Sequence, residues 1–330
     1  MGEGIITRRG GGLITITFNN YNPGRPSPTA LSVARDHLAG ASVGDYALFA
    51  GGYTGSGPSS VVDAYDTDLI RTTPTALSAA RNALAGASVG DYALFAGGYT
   101  GSPSSVVDAY NTNLTRSTPT ALSTGRDRLA GASVGDYALF AGGAGPSSVV
   151  DAYSANLTRT TPTALSAARY WLAGASVGNY ALFAGGDTGS GPSSVVNAYS
   201  ANLTRSTPTA LSAARSWLAG ASVGDYALFA GGSMGTGYYS SVVNAYSANL
   251  TRSTPAALST ARHQLAGVSV GNYALFAGGE IGTKTYTAAV DAYSNFVSST
   301  YLPITAGSKY KLNSTTEVTA STNKFIKVDF

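Results

Sequence analysis

The stretch LAGASVGDYALFAGG at residues 38–52 returns almost letter for letter from residues 84, 129, 172, 218 and 265. The residues just outside each copy differ every time. The first glycines of the Gly-Gly pairs are Gly51, Gly97, Gly142, Gly185, Gly231 and Gly278, spaced by 46, 45, 43, 46 and 47 residues. A period of that size marks an array whose units bury their faces against one another.

Each unit reads as four short strands. LAGASV and YALFAGG flank a Gly-Asp or Gly-Asn turn, SVVDAY follows a Gly/Ser/Pro-rich loop, and LTRSTPTAL follows a turn such as SAN. Short β-favouring runs punctuated by Gly, Asn, Asp and Pro are a strand pattern. SAAR and its variants support one helical turn at most. Four strands per repeat of this length make a propeller blade. The expected fold is therefore all-β: a six-bladed β-propeller of four-stranded blades, with extra β segments at both termini.

PSPTALS at 26–32 repeats the fourth-strand segment ahead of the first blade, whereas SSTYLPI at 298–304 is a degenerate copy. The N-terminal segment is expected to close the ring on the last blade, because an unpaired edge invites aggregation. Outside the repeat, GGLITITFNN and YKLNSTTEVTASTNKFIKVDF alternate apolar and polar residues like amphipathic strands. No lysine precedes Lys284 and no arginine follows Arg262. This composition shift divides the chain into an N-terminal attachment or oligomerisation segment (1–22), a propeller (23–304) and a C-terminal β tail (305–330). The terminal strands either form a homo-oligomer or simply cap the disc.

Composition removes several classes of function. Charged residues make up 11% of the chain and the net charge is +3, which gives no concentrated basic face for nucleic acid. With no cysteine, disulfides and thiolate metal sites are impossible. MGEGIITRRGG lacks the apolar core of a secretory signal, and no apolar run approaches a membrane span. The recurring Asn-Leu-Thr at Asn113, Asn156, Asn202 and Asn249 matches the glycosylation sequon, but the turn-forming role of Asn explains it without modification.

The unit resembles Kelch-repeat propellers over roughly residues 26–300. The double glycine ends the second strand, a tyrosine closes the third (Tyr65, Tyr110, Tyr153, Tyr199, Tyr246, Tyr293), and an arginine precedes the first. The tryptophan usual in the family's fourth strand is replaced by Leu and Thr, as in a divergent bacterial or phage variant. The opening GEGIITRRGG and the polar Gly/Ser/Thr/Asn style are similar to phage tail-fibre and bacterial surface proteins. That resemblance implies an extracellular or virion-surface location and a host-surface glycan or protein as ligand.

The differences among copies carry the functional expectation. After the repeated arginine comes a changing pair: Asp36-His37, Asn82-Ala83, Asp127-Arg128, Tyr170-Trp171, Ser216-Trp217 and His263-Gln264. The loop after Gly-Gly also changes, carrying Tyr53, Tyr99, Asp187, Met234, Tyr238, Tyr239, Glu280 and Lys284. Strands alternate in direction within a blade, so both variable sites emerge on one face and both constant turns on the other. Loops on a rigid frame can diversify without disturbing packing, which is how a recognition surface is built. Unconstrained drift is the alternative, but the constant turns are also loops and did not drift. The variable set holds both tryptophans, typical binding anchors, whose alternative role is packing between blades.

Arg35, Arg81, Arg126, Arg169, Arg215 and Arg262 are expected to form a ring near the channel mouth. Such a ring either takes an acidic ligand or bonds to loop carbonyls and blade carboxylates. Asp63, Asp108, Asp151 and Asp291, with Asn197 and Asn244 in their place in two blades, read as structural partners. Catalysis, a metal and a cofactor are not expected. Copper-oxidase chemistry needs a cysteine-crosslinked tyrosine, sialidases need Asp-boxes, and the carboxylates Asp36, Asp127, Asp187 and Glu280 stand in different blades. His37 and His263 alone are too few for a metal site. The alternatives to a binding module are a structural part of a virion or filament and an engineered consensus scaffold.

Overall fold

A computed structural model describes residues 29–294 continuously, together with the strand backbones Gly4–Arg9, Leu13–Phe18, Thr300–Ile304, Lys309–Lys311, Glu317–Thr319 and Lys324–Val328. The described elements are all β, and six antiparallel blades form a β-propeller.

Blade 2 shows the unit: Ala85–Val89 is innermost, followed outward by Tyr92–Ala96, Val107–Asn111 and Arg116–Ser117. The two-residue turn after Val89 has Gly90 at a φ of 48°, a conformation glycine adopts without steric cost. The register sets Phe95 opposite Gly86 on one side and Asp108 on the other. The Phe95 ring meets Tyr110 edge-on at 6.0 Å, and the same pair recurs in every blade.

The core lies between blades. Leu94, Val107 and Leu122 pack against Ala138, Phe140 and Tyr153 of blade 3, and the next interfaces repeat that set. Each fully buried Phe or Leu contributes roughly 1.5–3 kcal/mol. A Cβ on Gly86 would collide with the carbonyl of Gly40 in the preceding blade, which explains the invariant glycine of the inner strand. Gly142 stands at a φ of 73° with its Cβ direction 2.6 Å from the Arg169 carbonyl, so the double glycine meets both a backbone and a packing demand. One interface geometry, used repeatedly, accounts for the fidelity of the copied segment.

The fourth strand is shorter than the sequence implies. It spans only Arg-Thr or Arg-Ser, and the following TPTAL segment is the link to the next blade. Each link is pinned there by a tyrosine hydroxyl: Tyr110 donates to the Thr75 carbonyl at 2.7 Å and Tyr153 to Thr120 at 2.8 Å. The stretch 29–32 docks on blade 1 in the same way, through Tyr65 to Thr29 at 2.7 Å and the Ser32 amide to Asp63 at 3.2 Å. Residues 29–32 thus stand where the link stands in the other blades, while residues 19–28, on which the outer-strand part of the copy and the expected closure of the ring fall, lie outside the described residues.

Among the described residues five blades carry four strands and blade 6 carries three. Thr300–Ile304 pairs with Lys324–Val328 of the tail, not with blade 6. At the seam between blades 6 and 1, Val270 is 56% exposed, whereas its counterpart Val134 is 3% exposed. Val268 stands where the other blades have alanine, and Phe49 is exposed where Phe95 is buried.

Candidate functional site

The two variable segments of each blade are joined by backbone pairing. Asp36 bridges Tyr53, Asn82 bridges Tyr99, Tyr170 bridges Asp187, Ser216 bridges Ser233 and His263 bridges Glu280. In blade 3, with its shortened AGP loop, the Ala144 amide donates to the Asp127 carbonyl at 2.8 Å. Both sets thus emerge together on one face, while the Gly-Asp and Gly-Asn turns lie at the opposite strand ends.

The second member of each pair has an unusual backbone. His37, Ala83, Arg128, Trp171, Trp217 and Gln264 all have φ between 49° and 57°. Amides at these positions climb around the channel: Ala83 donates to the His37 carbonyl at 2.9 Å, Arg128 to Ala83 at 2.8 Å, Trp171 to Arg128 at 3.0 Å, Trp217 to Trp171 at 3.0 Å and Gln264 to Trp217 at 2.9 Å. This left-handed region costs a non-glycine residue about 1–2 kcal/mol. Every blade nevertheless carries a side chain there.

Those side chains form an aromatic group. Trp171 and Trp217 stack with centroids 3.5 Å apart, Tyr170 lies 4.6 Å from Trp171, and Arg128 sits over Trp171 at 5.0 Å. His37 and His263 approach Trp217 edge-on at 6.5 and 6.4 Å, and Tyr239 stacks on His263 at 4.3 Å. Burial and the nearby Asp187 carboxylate raise the Tyr170 hydroxyl above the usual phenol range. A depression of about 270 Å³ is lined by His37, Asn82, Ala83, Tyr99, Asp127, Arg128 and both indoles. A shallower one of about 460 Å³ runs between the loops of blades 4 and 5, past Tyr170, Asp187, Ser216, Tyr239 and His263. Met234, Tyr238 and Lys284 stand at exposed hairpin positions, with the Lys284 amide donating to Glu280 at 2.9 Å. Gln264 is exposed beside the ladder. Ala83, which its own chemistry would not single out, lines the first depression through its place in the ladder.

The arginines require a correction: they do not present a ring to solvent at the channel mouth. All six side chains are buried within the blades. Arg35, Arg81, Arg126 and Arg262 pair with Asp63, Asp108, Asp151 and Asp291 at 2.8, 2.7, 2.5 and 2.7 Å. Arg169 and Arg215 meet amides instead, donating to Asn197 Oδ1 at 2.7 Å and Asn244 Oδ1 at 2.8 Å. Lacking a carboxylate, these two are pushed by burial down to about 10. Their other donors reach loop-base carbonyls, as from Arg169 to Gly185 and Val195 at 2.6 Å each. The guanidinium groups thus hold the base of the variable loop in place, and a ligand on the surface meets that loop rather than the cation.

His37 lies 3.0 Å from Asp36, and His263 Nε2 lies 3.9 Å from Glu280. Among the described residues no group of three or more His, Asp or Glu side chains is arranged to hold a metal.

The comparisons with known proteins bear on the fold. No protein-family model matches the chain, and no curated protein matches it. Among solved structures 475 chains resemble it, too many to single out a function. One is the structure of YjhT, with a TM-score of 0.64 and 13% identity, covering 81% of this chain and 97% of that one. At that identity the likeness defines the class, a β-propeller, and function must be argued from the site.

Proposed function

We propose that the protein is a non-catalytic recognition module that binds its ligand through the variable propeller face. The carrying observation is the ladder of six left-handed positions, each occupied by a side chain although glycine would be less strained. Left-handed side chains also recur in the constant turns, at Leu69, Leu114, Leu157, Leu203 and Leu250, but the residue there is always leucine, whereas at the ladder it changes between blades, and strain held at a varied position supports a functional reading. The aromatic group supplies rigid contact area at small entropic cost, as binding anchors do.

The Kelch-like repeat and the tail-fibre-like opening favour a receptor-binding role at a virion or cell surface, with a host glycan or protein as ligand. The test is binding of the full chain to bacterial cells and a glycan array, beside a Trp171→Ala/Trp217→Ala variant whose unfolding midpoint confirms the fold. Selective binding lost by the variant supports the reading; equal binding by both, or none by either, overturns it.

One observation favours a structural role as second reading: the exposed apolar seam at Val268, Val270 and Phe49. A self-assembling part of a virion or filament would bury it. Sedimentation of the wild type beside Val270→Asp distinguishes the two, since assembly through the seam would be lost in the variant.

A further inference from the structure

The depression at the head of the ladder contains one polar group the fold leaves unused. Asp127 is 2% exposed, and its Oδ1 is buried without a hydrogen-bond partner. Its arginine neighbours are engaged elsewhere, Arg126 with Asp151 at 2.5 Å and Arg128 over Trp171 at 5.0 Å. A buried carboxylate oxygen without a partner is costly, and buried polar groups are normally satisfied. Asp127 nevertheless lines the depression with His37, Asn82, Arg128, Trp171 and Trp217.

The lining restricts the ligand. Asp127 accepts hydrogen bonds, Arg128 and the Asn82 amide donate them, and the half-buried indoles add apolar lining. An organic cation would satisfy the carboxylate and the indoles but would meet the Arg128 charge. A bare metal ion leaves the indoles without a role. An anion is repelled by Asp127. A ring bearing hydroxyl groups meets all the demands, since each hydroxyl both donates and accepts and the ring presents C–H groups to the indoles. The volume of about 270 Å³ falls below the roughly 300–1,000 Å³ that takes drug-sized ligands and suits one ring.

We infer that this depression is a subsite for one neutral hexopyranose unit, with hydroxyls donating to Asp127 and ring C–H groups against the parts of the stacked indoles that line the depression. The inference rests on the recognition reading and narrows it to a neutral saccharide.

The test titrates the full chain with methyl glycosides of glucose, galactose and mannose, with glucuronate and with choline, following tryptophan fluorescence and heat. The expected result is saturable binding of at least one neutral glycoside, weakened at least tenfold in Asp127→Asn. That variant keeps the shape and removes the unpaired charge, so its unfolding midpoint is expected to be equal or higher. Unchanged affinity in Asp127→Asn overturns the role of Asp127, and preference for glucuronate or choline overturns the ligand class. Tryptophan-dependent cell binding that no neutral glycoside inhibits overturns the subsite alone; absence of cell binding as well overturns the recognition reading with it.

Discussion

The indole of Trp217 stacks on that of Trp171 with centroids 3.5 Å apart and planes inclined by 29°, while the Trp217 amide donates to the Trp171 carbonyl at 3.0 Å. Adjacent blades are joined by the same residues that form the aromatic surface. Trp171→Ala and Trp217→Ala should therefore be non-additive in stability. A double-mutant cycle is expected to give a coupling of about 0.5–1.5 kcal/mol, the range of aromatic pairs. Additive losses by denaturant unfolding would show that the stack contributes nothing beyond burial.

Ala83 is the ladder position with the smallest side chain, and its φ is 51°. Ala83→Gly should stabilise the protein by about 0.5–1 kcal/mol, because relief of left-handed strain exceeds the entropic cost of glycine. The measurement is the urea midpoint at unchanged m-value. A fall in the midpoint would remove strain as an argument for the site.

Arg169 and Arg215 are buried opposite Asn197 and Asn244, where the other blades place aspartate. Asn197→Asp adds the missing anion beside an already buried cation and should stabilise by about 1–3 kcal/mol, as for hydrogen bonds to charged groups. Arg205, which now donates to the Ala164 carbonyl at 2.9 Å, gains the second oxygen that Arg159 finds on Asp151 at 3.0 Å. Calorimetry at pH 7 checks the sign.

The third-strand tyrosines make the protein sensitive to alkali. Burial raises Tyr110, Tyr153 and Tyr199 well above the usual phenol range, and pushes Tyr246 and Tyr293 up to about 12. Above pH 10 the unfolded chain loses phenol protons that the folded chain keeps, so stability falls as pH rises from 10 towards 12. Arg169 and Arg215 act in the opposite direction: pushed down to about 10 from 12.5, their burial cost is fully present below pH 10 and relieved above it. Burial lowers Arg81 and Arg126 as well, and five raised tyrosines still outnumber the four lowered arginines. Phenolate absorbance should thus rise in one step with loss of the β circular-dichroism signal. Ionisation of these tyrosines without unfolding would contradict the burial.

Much of the fold was legible because the repeat is nearly literal. The alternation of Ala and Val in AGASV, the Gly-Asp turn and the Gly-Gly break each report a local backbone demand, repeated six times. The variable face was legible for the same reason, since strand direction alone brings Asp36 beside Tyr53 and His263 beside Glu280. The end of the fourth strand was not. LTRSTPTAL reads as one β run, and only the hydrogen bond from Tyr110 to Thr75 shows where ladder stops and link begins. For the arginines the letters allowed either a ligand-binding ring or bonding to loop carbonyls and blade carboxylates, and the structure shows the second. Their letters are the same exposed or buried, and the partner that draws Arg81 inward, Asp108, lies a strand pair away.

By itself, the sequence determined the six-fold β unit, its glycine-dependent turns and the separation of a constant frame from a variable face, because these follow from local backbone preference and periodicity. Only the tertiary structure decided which variable residues meet. Trp171 stacks on Trp217, one oxygen of Asp127 is left without a partner beside the depression and Val270 is left uncovered. Each depends on the distance between blades and on what stands opposite, quantities set by packing across interfaces and written in no single repeat.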